Sequence, residues 1–87
     1  MTLTDLSIEQ VKKQLIWRSR RGVLALDVLL QQFLTNHFTE LNQEELTIYG
    51  QILAMDDLVL LDMIHNQIPP ENLQWQSIIE KIQSGLK

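Results

Sequence analysis

The sequence contains no cysteine, which excludes disulfides, thiolate zinc sites and cysteine nucleophiles, and permits a reducing compartment without requiring one. Its three glycines are far apart, so no glycine-rich loop is available to cradle a phosphate. No apolar run approaches the roughly 20 residues that span a bilayer. The opening residues, Met1-Thr2-Leu3-Thr4-Asp5, carry an acid and have neither a basic segment nor a continuous apolar one, which argues against a signal or transit peptide. These absences predict a cytoplasmic protein without direct membrane insertion.

Lysine and arginine are also missing between residues 22 and 80, a stretch that holds nine Asp and Glu. Lys12, Lys13, Arg18, Arg20 and Arg21 crowd instead into ten consecutive positions. The net charge of −4 therefore describes a basic end on an acidic body. A nucleic-acid binder carries its basic stripe across the whole domain, and this body repels phosphate, so no nucleic-acid partner is expected.

What the chain has in quantity is aliphatic sequence at helical spacing: 45% of its 87 residues are hydrophobic. That length builds one core. The expectation is a single all-α domain over residues 1–87, a compact five-helix bundle, with residues 1–6 as a flexible lead-in. Ser7-Ile8-Glu9-Gln10 has the spacing of a capping box. It opens a first helix with Ile8, Val11, Leu15 and the stem of Arg18 on one face, and Gly22 marks its stop. A central helix follows from Val23 to about Phe38, with Leu26, Leu29, Leu30, Phe33 and Leu34 at three- and four-residue steps. Asn42-Gln43-Glu44-Glu45 is a second capping signature, beginning a third helix that turns Leu46, Tyr49, Ile52 and Leu53 to the core. Asp56 and Asp57 are both candidate caps for a fourth helix, with Leu58, Leu61 and Ile64 inward and Asp62 in water. Pro69-Pro70 ends it. Pro70-Glu71 starts a fifth, with Leu73, Ile78, Ile79 and Ile82 inward and Gly85 near its end. No strand-like alternation competes.

Little of this can carry catalysis. His37 and His65 are the only imidazoles, and neither has a second histidine or a carboxylate at metal-ligand spacing on its predicted face, so no metal and no catalytic residue is expected. Asp56 and Asp57 are adjacent, and adjacent helical residues point in different directions, so a cap explains them better than a carboxylate pair. Ser7, Ser19, Ser77 and Ser84 lack the sharp glycine-flanked turn that exposes a nucleophile. A phosphopantetheine carrier needs Asp-Ser-Leu at a helix start, whereas Asp5-Leu6-Ser7 has the wrong order in the wrong place.

The remaining constellation is Arg18-Ser19-Arg20-Arg21-Gly22-Val23-Leu24-Ala25-Leu26-Asp27. Three guanidiniums stand at a junction of two helices beside the residue that lets another backbone come closest. Such a junction suits docking of a partner's carboxylates and main chain. It is equally what a glycine that only ends a helix looks like, with arginines that only solvate its C-terminus.

At this segment the sequence resembles the succinate dehydrogenase assembly factors, the small flavinylation factors of SdhE type, whose hallmark is Arg-Gly-x-x-Glu followed by Leu-Asp. Arg20-Arg21-Gly22-Val23-Leu24-Ala25-Leu26-Asp27 matches it except at the Glu. The likeness continues without gaps through Leu29, Phe33, Leu41, Glu45, Tyr49, Ile52-Leu53, Asp56-Asp57, Leu60 and Pro70. The resemblance implies a five-helix bundle of the bacterial cytoplasm, monomeric in solution. It would bind the flavoprotein subunit of succinate dehydrogenase, and of fumarate reductase, and promote covalent attachment of FAD to that client. FAD is then the client's cofactor, none is held tightly by the factor, and the factor is no enzyme. Arg21 and Gly22 would lie at the client interface with Asp27 supporting the motif, and Arg20, Arg18 and Lys13 would extend the contact.

Three positions depart from the family pattern. Ala25 replaces the Glu, which removes a carboxylate able to pair with Arg21 or to meet the client. Met63 stands in place of a usual Trp, and Ile68 in place of a common Gly. The alternative that these departures leave open is a regulatory, antitoxin-type interaction protein on the same fold, a label some members of the family carry.

Overall fold

The computed structural model describes residues 8–86. The capping box at Ser7 and the lead-in over residues 1–6 lie outside the described residues. Five α-helices follow one another: α1 Ile8–Arg18, α2 Leu24–His37, α3 Gln43–Leu53, α4 Asp57–Ile64 and α5 Gln76–Gln83. Short 3₁₀ turns at Phe38–Glu40, Leu73–Trp75 and Ser84–Leu86 link or finish them. The expected all-α bundle is what forms, with no strand among the described residues.

α2 is the central element. Leu26 and Leu30 are fully buried, and Leu29 and Phe33 nearly so, because four apolar side chains at three- and four-residue steps give the helix one continuous stripe. That stripe packs on α5, whose Ile78, Ile79 and Ile82 are each 1% exposed. α3 packs against α1, and α4 against α5. The rings of Phe33 and Tyr49 meet at 4.8 Å where α2 and α3 face each other.

α3 begins as its sequence predicts. Asn42 Oδ1 accepts from the Glu45 N–H at 2.8 Å, and the Asn42 N–H donates to Glu45 Oε1 at 3.0 Å, completing the capping box. These two bonds satisfy donors that the helix start leaves open. The hydrogen bond to the Asn42 backbone is the main cause that lowers the Glu45 pKa, with Lys81, 3.2 Å from its other oxygen, acting in the same direction.

Several boundary and facing expectations are corrected, among them Ile8, expected inward on α1 and 44% exposed. Gly22 does not stop α1: the helix ends at Arg18, four residues earlier, and no glycine has a positive φ. The helical ladder is left at Arg21, whose N–H donates to Asp27 Oδ1 at 2.8 Å, while Ser19, fully buried, still donates to the Leu15 carbonyl from its N–H and, at 2.7 Å, from its Oγ. Pro69-Pro70 does not stop α4 either. Asn66 takes the left-handed conformation at φ 62, its N–H donates to the Met63 carbonyl, and the Gln67 N–H donates to the Asp62 carbonyl. This is a Schellman closure with Asn in the position usually given to Gly.

On α4, Leu58 faces water at 63% exposure while Leu60, Met63 and Ile64 are buried. Positions 58 to 61 are all apolar, so spacing gives no contrast to orient the helix. At the end of the chain, Pro70 does not begin α5, which starts at Gln76. Asn72 opens the preceding turn, its Oδ1 accepting from the Gln74 N–H at 2.9 Å. Leu73 is 88% exposed and Trp75 is buried instead, its indole N–H donating to Gln51 Oε1 at 3.0 Å. Met63, at 2% exposure, fills core space in place of the Trp of the family pattern.

Candidate partner-binding site

The connection between α1 and α2 is held by three separate ties. Ser19 Oγ, having donated to Leu15, accepts from the Tyr49 hydroxyl at 2.6 Å, which fixes the end of α1 to the middle of α3. Burial of that phenol pushes its pKa up to about 12, against the opposing Ser19 hydrogen bond and the nearby charges of Arg21 and Arg18. Asp27, on the first turns of α2, reaches back so that its Oδ1 accepts from the Arg21 N–H at 2.8 Å, and Arg20 Nε lies 3.3 Å from the same oxygen. A carboxylate there also meets the positive end of the α2 dipole.

The third tie is the Arg21 side chain. Its Nη2 donates to the Leu53 carbonyl at 2.6 Å and its Nη1 to Asp57 Oδ1 at 3.0 Å. The guanidinium is 13% exposed and Asp57 29%, and the Arg21 Nε is buried with no partner. Arg21 therefore clamps the α1–α2 junction to the α3–α4 connection. Asp57, expected as a cap, is a clamp residue, while Asp56 alone caps α4, accepting from the Leu58 N–H at 3.2 Å. The clamp agrees with the rotation of α4 that buries Leu60, Met63 and Ile64. With Asp57 turned toward Arg21, the positions one helical turn on, Leu60 and Leu61, turn inward too, and Leu58 is swung out.

The candidate residues thus fall into two groups. Arg21 and Asp27 are committed to contacts inside the chain. Arg20, with a side chain 73% exposed, Gly22, Ala25 and Arg18 face outward. Arg18 Nη2 donates to the Gly50 carbonyl at 3.0 Å, so its head is steered without being buried. A Cβ placed on Gly22 would meet no heavy atom within 4 Å. With no left-handed φ and no crowding, nothing inside the fold requires glycine there. Ala25 is exposed on the first turn of α2, and the partner that a Glu there would offer Arg21 is supplied by Asp57.

Residues 13–85 match the family model described as the flavinator of succinate dehydrogenase, Sdh5. The chain belongs to this family. Among its relatives, the FAD assembly factor SdhE of Coxiella burnetii is 38% identical over 71 residues, covering 82% of this chain and 87% of that protein. The SdhE of Haemophilus influenzae strain 86-028NP is 34% identical over 76 residues, covering 87% and 89%. That of Legionella pneumophila strain Paris is 35% identical over 60 residues, covering 69% and 76%. No solved structure matches the chain. The family match takes in the whole clamp, from Arg18 through Asp27 and from Leu53 to Asp57.

Chemically, the site offers cations and main chain rather than a reaction centre. The single imidazole–hydroxyl contact among the described residues lies elsewhere, His37 Nε2 to Ser84 Oγ at 3.2 Å. There the Ser84 hydroxyl donates to the Lys81 carbonyl at 2.6 Å, so its proton does not point at the imidazole and the pair is not a nucleophile with its base. His65 is the exposed residue that closes α4. Sequence reasoning missed Asp57 as Arg21's partner and Leu53 as its acceptor. The only signal for them was the adjacency of two aspartates, of which a helix uses one as its cap.

Proposed function

We propose that this chain binds the flavoprotein subunit of succinate dehydrogenase and promotes covalent attachment of FAD to it. It acts as a monomeric assembly factor of the bacterial cytoplasm, and not as an enzyme. The observation that carries this reading is Gly22: a glycine beside an arginine cluster, outward-facing, with open space around it and no conformational need for it within the fold. A bare backbone edge of this kind suits close approach by another main chain. Arg20 and Arg18 flank that edge with positive charge, and Arg21 with Asp27 holds it in place from behind. Membership in the flavinator family and the names carried by the relatives support the same client. No helix among the described residues is long and apolar enough to cross a membrane. FAD belongs to the client on this reading, and the flavoprotein of fumarate reductase is a second client of the same chemistry.

The test is covalent flavin fluorescence of the succinate dehydrogenase flavoprotein subunit in a denaturing gel, expressed with and without this chain in cells that lack another such factor. The expected result is a clear increase with the wild-type chain and none with Gly22→Leu, although Gly22→Leu keeps its far-UV helicity and melts within about 2 °C of wild type, as ordinary exposed substitutions do. No increase with the wild-type chain refutes the assembly role. Co-purification without any increase would mean that Ala25 has uncoupled binding from flavinylation, and neither co-purification nor an increase would favour the regulatory reading.

A further inference from the structure

Of the five aromatic side chains in the sequence, Phe33, Phe38, Tyr49 and Trp75 are all buried, and Trp17 is 83% exposed. An indole in water is unfavourable by its whole apolar area, and nothing among the described residues buries this one. It stands on α1 one turn beyond Lys13 and next to Arg18. With Lys13, Gln14 and Arg18 it lines an open groove of about 360 Å³. Lys13 has no ion pair among the described residues, and Arg18 is met only by a neutral carbonyl. The groove is therefore apolar at its floor and positively charged at its rim. It shares Arg18 with the docking edge proposed above, and Trp17 sits on the turn just before the arginine junction, its carbonyl accepting from the Arg20 N–H at 3.3 Å.

We propose that Trp17, Lys13 and Arg18 form a second anchor for the client flavoprotein, one that takes an acidic surface segment of it with an apolar side chain covering the indole. The inference rests on the client assigned under the proposed function. Charge selects the occupant: Lys13 and Arg18 have no carboxylate partner among the described residues, and tryptophan and arginine are the residues around which binding energy concentrates at protein interfaces. The acidic body over residues 22–80 disfavours nucleic acid in the same groove. Gly22 would then serve close main-chain approach while Trp17 supplies affinity, two separable contributions from one face.

The experiment labels the chain with 5-fluorotryptophan, which gives one ¹⁹F resonance for exposed Trp17 and one for buried Trp75, assigned with Trp17→Phe. On addition of the client flavoprotein subunit, the Trp17 resonance is expected to shift or broaden while that of Trp75 stays in place. Trp17→Ala is expected to raise Kd by roughly 30-fold or more, as truncation of an interface anchor does. Lys13→Glu, an exposed change that leaves folding untouched, is expected to raise Kd about tenfold, with the effect shrinking at high salt. If wild type binds and supports flavinylation while Trp17→Ala and Lys13→Glu bind as wild type does, or the Trp17 resonance is unmoved, the anchor is overturned and the assembly role stands. If wild type does not bind the flavoprotein, the assembly role falls and the anchor with it. A Trp17 shift produced by a single-stranded oligonucleotide and not by the flavoprotein overturns the proposed occupant.

Discussion

Replacing Asp57 with Ala removes the carboxylate that holds Arg21 Nη1 at 3.0 Å and leaves the guanidinium with the Leu53 carbonyl alone. Because the Arg21 side chain is 13% exposed and its Nε already lacks a partner, the freed donor gains only part of the solvation that an exposed guanidinium would have. A fully exposed pair contributes roughly 0–1 kcal/mol, and breaking a fully buried one costs about 3–5 kcal/mol. With Asp57 at 29% exposure, the pair lies between these limits, at about 2 kcal/mol. In a domain of this size each kcal/mol lowers Tm by roughly 4–8 °C, so the variant should melt about 8–16 °C below wild type. Asp57→Asn keeps an acceptor without the charge and should fall between. Thermal melting by circular dichroism measures all three, and a double-mutant cycle with Arg21→Met isolates the pairwise part, expected at about 1 kcal/mol or more. A loss below about 0.5 kcal/mol, no larger than an ordinary exposed substitution, would refute the clamp.

Two further perturbations test the packing around the site. Tyr49 holds its proton up to about pH 12 in the folded state, against about 10 when unfolded. As pH rises from 10 to 12, the unfolded state gives up this proton first and stability falls by on the order of 2–3 kcal/mol. Tyr49→Phe should start about 1 kcal/mol less stable at neutral pH, because the Ser19 hydroxyl loses a partner, and should lose less than wild type over that alkaline range in urea titrations. On α4, Leu58→Ser should stay within about 0.5 kcal/mol of wild type, whereas Leu60→Ala should cost about 2–5 kcal/mol. Equal losses in chemical denaturation would mean that α4 is not rotated as described.

Periodicity and caps made most of the fold legible. Leu26, Leu29, Leu30 and Phe33 announce the buried stripe of α2, and Asn42 with Glu45 announces the start of α3, because both signals act over a single turn of one helix. Where every position is apolar, as from Leu58 to Leu61, the same reasoning has nothing to contrast, and the facing of α4 is settled by tertiary packing, with Leu60, Met63 and Ile64 in the core and Asp57 held by Arg21 from 36 positions away in sequence. The exits of α1 and α4 were misread for a related reason. Gly22 and Pro69 are conspicuous breakers, yet the helices stop earlier, where the Arg21 N–H turns to Asp27 and where Asn66 takes a left-handed φ.

The site divides along the same line. The sequence by itself determined that a cluster of arginines and one glycine would sit between the first two helices of an otherwise acidic, cysteine-free bundle, because composition, spacing and helix punctuation are local properties. Only the tertiary structure decided which of those arginines face outward. Arg18, Arg20 and Arg21 are alike as residues, and their fates differ because Gly50 and Leu53 of α3 and Asp57 of α4 offer acceptors at particular points in space. A guanidinium takes whatever geometry satisfies its donors. The acceptors that turn Arg21 inward exist only once the helices have packed.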